Sequence, residues 1–276
     1  MTPHFGIIIV GDEILSGKRT DKHMPKAIEL LAARGLQLSY ADYVGDDPER
    51  ITATLARAFA AARTRGDVVF SFGGIGATPD DHTRHCAARA LGVALELHPQ
   101  AKVLIRERMQ DVAREQGLPF EPDREDNIHR LNMGTFPVGA SIIPNPYNKI
   151  PGFSCRGAAG GAVHFLPGFP VMAWPMIEWV LDTRYRHLHR QAAWVEQSVI
   201  VYGSLEATLT PLMEEIERRF HGVKVFSLPS VDHPQHGRHI ELGVKGEPAR
   251  VAQAYLDLLA GLRQLDAHTG PEMVRN

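Results

Sequence analysis

Residues 67–83 read Asp-Val-Val-Phe-Ser-Phe-Gly-Gly-Ile-Gly-Ala-Thr-Pro-Asp-Asp-His-Thr: an apolar run, a glycine-rich turn, then a pair of acids opening a predicted helix. Strand, glycine turn and helix start together bring several backbone N–H groups to one point, the arrangement with which proteins hold phosphate. A phosphate cradled by Gly73, Gly74 and Gly76 would lie close to Asp80 and Asp81, and like charges at contact distance repel unless a cation intervenes. The local chemistry points to phosphate plus a divalent metal. The bland alternative is a tight strand-to-helix connection, which such glycines also serve.

Working outward, residues 5–10 form a continuous apolar run ending at Gly11, the pattern of a strand buried on both faces of a parallel sheet. It leads into Asp12 and Glu13, which either serve a metal or simply solvate a loop and favour the next helix start. Residues 24–34 predict a helix with Ile28, Leu31 and Ala32 on one face, and residues 36–44 a strand. Asp47 and Pro48 open a helix over 49–65 with Ile51, Leu55, Ala58, Phe59 and Ala62 facing one way. Further helices are predicted over 80–91, 99–115 and 171–189, with one of Asp80 and Asp81 capping the first while the other reaches into the crevice. The stretch after 115 reads as irregular until short strands near 142–143 and 163–166, with Ala159-Gly160-Gly161 as their connection.

Residues 190–276 predict a second unit in β-α-β-β-α order: strands at 195–202, 223–228 and 239–244, a helix capped by Ser204, and a closing helix from Pro248. The fold class is therefore α/β: a three-layer, doubly wound, mostly parallel sheet over 1–189, with a small α+β domain over 190–276.

Composition excludes several classes. At 276 residues, 44% apolar and 22% charged, the chain has the make-up of a globular protein, and its formal charge of −2 lacks the basic excess that nucleic-acid binding needs. No stretch reaches the roughly 20 apolar residues of a membrane span, and a cytoplasmic location with Cys86 and Cys155 as free thiols is expected. His82 and His85 read as an exposed helix face or as metal ligands; His233, His236 and His239 flank a turn and read as a solvated hairpin or a metal site.

Three motifs together resemble the MoaB/Mog-like molybdopterin-binding domain family, in the version found at the N-terminus of competence/damage-inducible protein A (CinA) and of FAD synthase. They are Gly-Asp-Glu-Ile-Leu-Ser-Gly at 11–17, the 73–83 segment above, and the run from Pro144-Asn145-Pro146 through Pro151-Gly152 to Leu166-Pro-Gly-Phe-Pro at 166–170. The second unit also resembles the second domain of the competence-type proteins, whereas the amidase domain that often follows there has no counterpart.

The resemblance implies that Gly73, Gly74, Ile75, Gly76, Thr78 and Thr83, with Asn145, Pro167 and Gly168, bind the phosphate of a pterin or nucleotide. It implies a divalent metal (Mg, Mn or Co) at Asp12, Glu13 and Asp81, with Asp81, Glu13 and Asp80 as catalytic carboxylates. The activity it implies is metal-dependent hydrolysis of a nucleotide diphosphate such as ADP-ribose or FAD, or else non-hydrolytic molybdopterin binding or transfer. The resemblance implies a homo-oligomer, since relatives associate; the apolar region of Trp174, Trp179 and Trp194 fits an interface, and a core role explains those tryptophans equally well. Three positions depart from the family pattern: Ala77 for Pro, His23 for Asn, and Asn148 for a Gly at which positive φ is expected.

Overall fold

Strand β1 (Phe5–Val10) is buried at every position, because an unbroken apolar run is stable only where both sheet faces are covered. In the computed structural model, which describes residues 3–157, 160–189 and 195–275, β1 is followed by the short helix α1 (Asp12–Leu15), α2 (His23–Ala32) and β2 (Leu38–Val44). Helix α3 (Pro48–Thr64) starts where Asp47 Oδ1 accepts the N–H groups of Glu49 and Arg50, and Pro48 supplies the first-turn φ. Its expected face is buried as read. Then come β3 (Val68–Phe72), α4 (Thr83–Leu91), β4 (Leu95–Leu97), α5 (Pro99–Glu115), α6 (Glu125–Leu131), β5 (Thr135–Pro137), β6 (Ser141–Ile143), β7 (Gly152–Arg156), β8 (Ala162–Leu166) and α7 (Pro170–Arg184).

The main sheet runs β2-β1-β3-β8-β7-β6; its first four strands are parallel, and β7 runs antiparallel to its two neighbours β8 and β6. Alternate residues of one strand feed opposite faces. Ile8, Val10 and Val69 pack with Leu55, Phe59 and Ile105 of α3 and α5, while Ile7, Ile9, Phe70 and Phe72 pack with Leu30, Leu31, Ile177 and Val180 of α2 and α7. The result is the expected three-layer, doubly wound, mostly parallel arrangement.

Residues Met1–His189 and Arg190–Asn276 form two compact units. The second contains β9 (Val195–Tyr202), α8 (Glu206–Arg219), β10 (Lys224–His233), β11 (Gly237–Gly246), α9 (Pro248–Gln264) and β12 (His268–Arg275). Its antiparallel sheet has the order β10-β11-β9-β12, with Leu209, Ile216, Val251 and Leu258 of the two helices in its core. The order is β-α-β-β-α-β, so the expected pattern lacked its last strand.

Several expectations need correction. Helix α4 begins at Thr83 rather than 80, and its cap position is His82, whose side chain makes no capping bond; neither acid caps the helix. Helix α8 likewise begins after Leu205 without a side-chain cap, so Ser204 does not cap it. The buried face of α2 is Ala27, Leu30 and Leu31, whereas Ile28 is exposed. Positive φ falls on Lys149 (64°) rather than on Asn148. The region after 115 that was expected to be irregular holds α6 and β5, and β4 stands between the two expected helices 80–91 and 99–115. Ala159 and Trp194 lie outside the described residues. Trp174 and Trp179 pack against the α2/α7 core, with Lys26 and Arg184 over their rings.

A buried polar chain crosses the antiparallel side of the main sheet: Ser154 Oγ lies 2.7 Å from His164 Nδ1, and His164 Nε2 2.9 Å from the Tyr185 hydroxyl. Burial first, then Arg184 and Arg156, hold the His164 pKa well below 6.5. Burial also lowers His23. Both rings take up a proton at lower pH in the folded protein than in the unfolded chain, so their contribution is fully present above 6.5 and is lost as pH falls. We expect the unfolding free energy measured with urea to drop between pH 6.5 and 5.5 by up to about 1.4 kcal/mol per pH unit for each histidine. A His23→Asn variant should have a shallower slope, and equal slopes would remove His23 from this account.

Candidate functional site

In the parallel half of the sheet the chain moves from β1 outward to β2 and back past β1 to β3, so the strand order reverses between β1 and β3. Ligands of open α/β sheets bind outside the carboxyl ends of strands at such a point. Four loops leave that edge: 11–13 after β1, 45–46 after β2, 73–82 after β3 and 167–169 after β8. Their starts are tied together, since Gly11 N–H donates to Val44 O at 3.0 Å and Gly73 N–H to Leu166 O at 3.0 Å.

The glycine turn has the backbone that only glycine adopts easily: Gly73 and Gly74 have φ of 94° and 66°. A Cβ on Gly73 would collide with the Val10 carbonyl oxygen, and one on Gly74 with Thr83 Oγ1. Ile75 is buried and anchors the turn in the α3/α5 core. Thr83 is fully buried, its N–H donates to Gly74 O at 3.0 Å, and its Oγ1 has no partner among the described residues.

Asp81 closes the turn. Its Oδ2 accepts Thr78 N–H at 2.8 Å and Thr78 Oγ1 at 2.6 Å, and lies 2.5 Å from where a Gly76 Cβ would stand. One carboxylate oxygen is thus committed to shaping the loop. Asp80 is exposed. Across the edge, Asp12 Oδ1 accepts Asp46 N–H at 3.1 Å and Asp46 Oδ2 accepts Asp12 N–H at 2.9 Å, a reciprocal clasp between the β1 and β2 loops. Glu13 folds back so that its carboxylate sits 2.7 Å from a would-be Gly11 Cβ.

Burial, and then the charges of Asp12, Glu13 and Asp80, raise the Asp46 pKa above the usual carboxylate range against the opposing bond from Asp12 N–H. Asp46 therefore senses the other three acids, and among the described residues none of the four forms an ion pair. Arg84, buried and donating to Asn132 O, is the nearby cation; burial lowers its pKa while Asp81 raises it.

Beside the turn on the α2/α7 face lies a cavity of about 370 Å³, with Glu13, Arg19, Lys22, His23, Phe72 and Gly168 among its lining residues. Gly168, which follows Pro167, approaches Gly73 closely, a would-be Cβ standing 3.5 Å from Gly73 Cα.

Asn145 has a different part. Its Nδ2 donates to Asn148 Oδ1 at 2.8 Å and Ile150 O at 2.9 Å, and its Oδ1 accepts Tyr147 N–H at 3.0 Å, so its amide shapes the loop after β6 rather than offering donors to a ligand. Among the described residues no three His, Cys, Asp or Glu side chains are grouped to hold a metal ion. That includes His82 and His85, and the histidine trio on the β10–β11 turn, whose rings approach to 5.0–5.6 Å. There, His233 Nδ1 accepts N–H groups from Gln235 and His236, which is turn chemistry.

A family profile described as "Probable molybdopterin binding domain" matches residues 6–187, spanning the whole of this sheet and its four loops. The chain belongs to this family. As a molybdopterin-binding-family protein it is 35% identical over 176 residues to a CinA-like protein of Anaeromyxobacter dehalogenans, covering 63% of this chain and 40% of that protein. The chain thus spans less than half the length of that relative. Protein TV0584 of Thermoplasma volcanium is 29% identical over 223 residues, 81% of this chain and 79% of its own. The crystal structure of CinA from Thermoplasma acidophilum, described as of unknown function, superposes with a TM-score of 0.53 at 25% identity over 66% of this chain and 97% of that one.

Within this molybdopterin-binding domain, sequence reasoning missed Asp46, Arg84, and the cavity lined by Arg19, Lys22 and His23. Asp46 had a local signal as one of two acids before Pro48, but its bond to Asp12 spans 34 positions. No described helix is long and apolar enough to cross a membrane.

Proposed function

We propose that the β1/β3 edge binds a phosphate-bearing pterin or nucleotide and, with a divalent cation, hydrolyses the pyrophosphate of a nucleotide diphosphate such as ADP-ribose or FAD. The observation that carries this reading is the placement of the Gly73–Gly74 positive-φ turn at the same sheet edge as four carboxylates that have no ion-pair partner among the described residues.

The donor set fits a hard cation that keeps most of its shell as water and phosphate oxygen, as Mg²⁺ does, because such an ion needs only one or two carboxylates. One or two of Asp12, Glu13 and Asp81 would hold it. When bound, it polarises phosphoryl oxygen and acidifies water, together supplying several kcal/mol. The chain's own groups do the rest. Backbone N–H groups of the turn orient one phosphate, and Asp12 and Asp46 fix the two loops. A water oxygen adds to phosphorus as the bridging P–O bond breaks, and Glu13, Asp80 or the outer oxygen of Asp81 takes the water proton.

One observation favours binding or transfer without hydrolysis: the carboxylates are not gathered into a three-ligand group. Incubation with ADP-ribose and FAD plus Mg²⁺, Mn²⁺ or Co²⁺ separates the readings. Turnover releasing AMP is the expected result. Tight pterin binding without any hydrolysis product would select the second reading.

A further inference from the structure

The tip of the β10–β11 hairpin is joined to its sheet by little backbone pairing. The register is regular from Lys224 opposite Lys245 to Ser230 opposite His239, slips between Ser230 and His233, and resumes only where His233 faces Gly237. Two residues, 231 and 232, thus stand against one, a bulge at which a strand bends. The tip beyond it is set apart from the rest of the ladder, and three histidines lie in it or beside it.

His233 closes this tip. Its Nδ1 accepts the N–H groups of Gln235 at 3.3 Å and His236 at 3.2 Å. A nitrogen that accepts N–H groups presents its lone pair, so the neutral ring carries its hydrogen on Nε2. The next proton can go only to Nδ1. There it would point at two backbone donors, and both bonds of the turn would be lost. His239 is arranged the other way round: its Nδ1 donates to Gly237 O at 2.9 Å, so a second proton enters at Nε2 and breaks no bond.

The rings are near enough for their charges to add. Centroids lie 5.0 Å apart for His233 and His236, 5.3 Å for His233 and His239, and 5.6 Å for His236 and His239, well inside the roughly 10 Å over which salt screens charge. Tyr202 of β9 stands opposite both His239 of β11 and His268 of β12, which puts all three on one face of the sheet. The Tyr202 hydroxyl is 3.1 Å from His236 Nδ1, and its ring centroid is 5.2 Å from that of His268. Helices α8 and α9 pack on the other face, against Ile240 and Leu242. The charged neighbours absorb little added positive charge. Glu241, next on the same face of β11, is held by Arg275 and Ser198. Asp232 and Arg238 are exposed and opposite in sign, and Asp266, two residues before His268, is exposed.

We propose that the β10–β11 tip is a pH-operated latch, closed by neutral His233 and opened at the 231–232 bulge when His233 takes a proton beside His236 and His239. It concerns the second unit alone and does not rest on the phosphate reading. The open tip accepts a proton that the closed tip has no room for, so mild acid shifts the balance by mass action. For one imidazole with the free value of about 6.5 in the open form, the open-to-closed ratio changes about tenfold between pH 7.5 and 5.5.

The test is solution NMR of the full chain with EDTA present, reading solvent exchange of the Gln235 and His236 amides after correction for the intrinsic effect of pH. Their protection should fall about tenfold from pH 7.5 to 5.5, while Leu242 in the middle of β11 keeps its own. His233→Asn retains an acceptor oxygen for the turn but takes no proton, so its tip should stay protected at both values. Side-chain nitrogen shifts should show His233 Nδ1 without a hydrogen at pH 7.5. Wild-type protection that is unchanged at pH 5.5, an equal loss in His233→Asn, or an equal loss at Leu242 would each overturn the latch. The wild-type comparison stands even if the variant folds poorly.

Discussion

Asp81→Asn should fold as the parent does and lose turnover of ADP-ribose with Mg²⁺ by about 100-fold or more. The substitution keeps a carbonyl oxygen that can accept both Thr78 N–H and Thr78 Oγ1, the two bonds that close the turn at 2.8 and 2.6 Å. It removes only the charge. Stability should therefore change by less than about 1 kcal/mol, because the hydrogen-bond count is preserved. Asp81→Ala loses both bonds as well, and should be less stable than the Asn variant by about 1–2 kcal/mol. The pair of variants separates loop-building from chemistry at one position. Wild-type turnover in a folded Asn variant would remove Asp81 from the reaction; equal stability of the two variants would show that its bonds to Thr78 do not hold the turn.

The elements that were legible in the sequence share a physical property: their signal is local. Strands β1 and β3 read as continuous apolar runs because both faces are covered, and the structure sends Ile7 and Ile9 to one layer and Ile8 and Val10 to the other. Helix α3 carries its cap, its first-turn proline and its buried stripe within 18 consecutive residues. Strand β12 has none of this. It is an edge strand, mostly exposed, and Gly270-Pro271 interrupts its register between Thr269 and Glu272, which is how edge strands accommodate proline. Helix α6 buries only Asn127 and so has no apolar stripe to read.

The site divides along the same line. The glycine turn and the acids after β1 and β3 were visible because each is one contiguous segment. Asp46 was not, and His23 showed only as a departure from the family pattern, because their hydrogen-bond partners lie 34 and 145 positions away. His23 illustrates the limit well. Its residue type signals a titratable ring, yet what matters is that Gly168 O fixes the tautomer and leaves the other nitrogen without a partner among the described residues. The misplaced start of α4 has a related cause: Asp80 and Asp81 resemble helix-opening acids, but Asp81 finds its donors three residues back at Thr78, which holds 78–81 as a turn and delays the helix to Thr83.

Gly73→Ala should be the most damaging small substitution at this edge. Residue 73 has φ of 94°, which an L side chain adopts only with strain of about 1–2 kcal/mol. Its Cβ would also overlap Val10 O, a backbone atom at the end of β1 that no rotamer change can move aside. Because Gly73 N–H is bonded to Leu166 O, the residue cannot retreat without breaking the tie to β8. Relief therefore has to come from spreading the carboxyl ends of β1 and β3, at about 1–3 kcal/mol beyond the strain. Gly139→Ala is the matched control, since Gly139 has φ of 85° and nothing within 4 Å of its would-be Cβ. Urea unfolding should find Gly73→Ala less stable than Gly139→Ala by at least about 1 kcal/mol, with pyrophosphate binding lost only in the former. If the two variants unfold alike and bind alike, β1 and β3 do not meet through Gly73 as described, and the crevice loses the close approach on which its phosphate cradle depends.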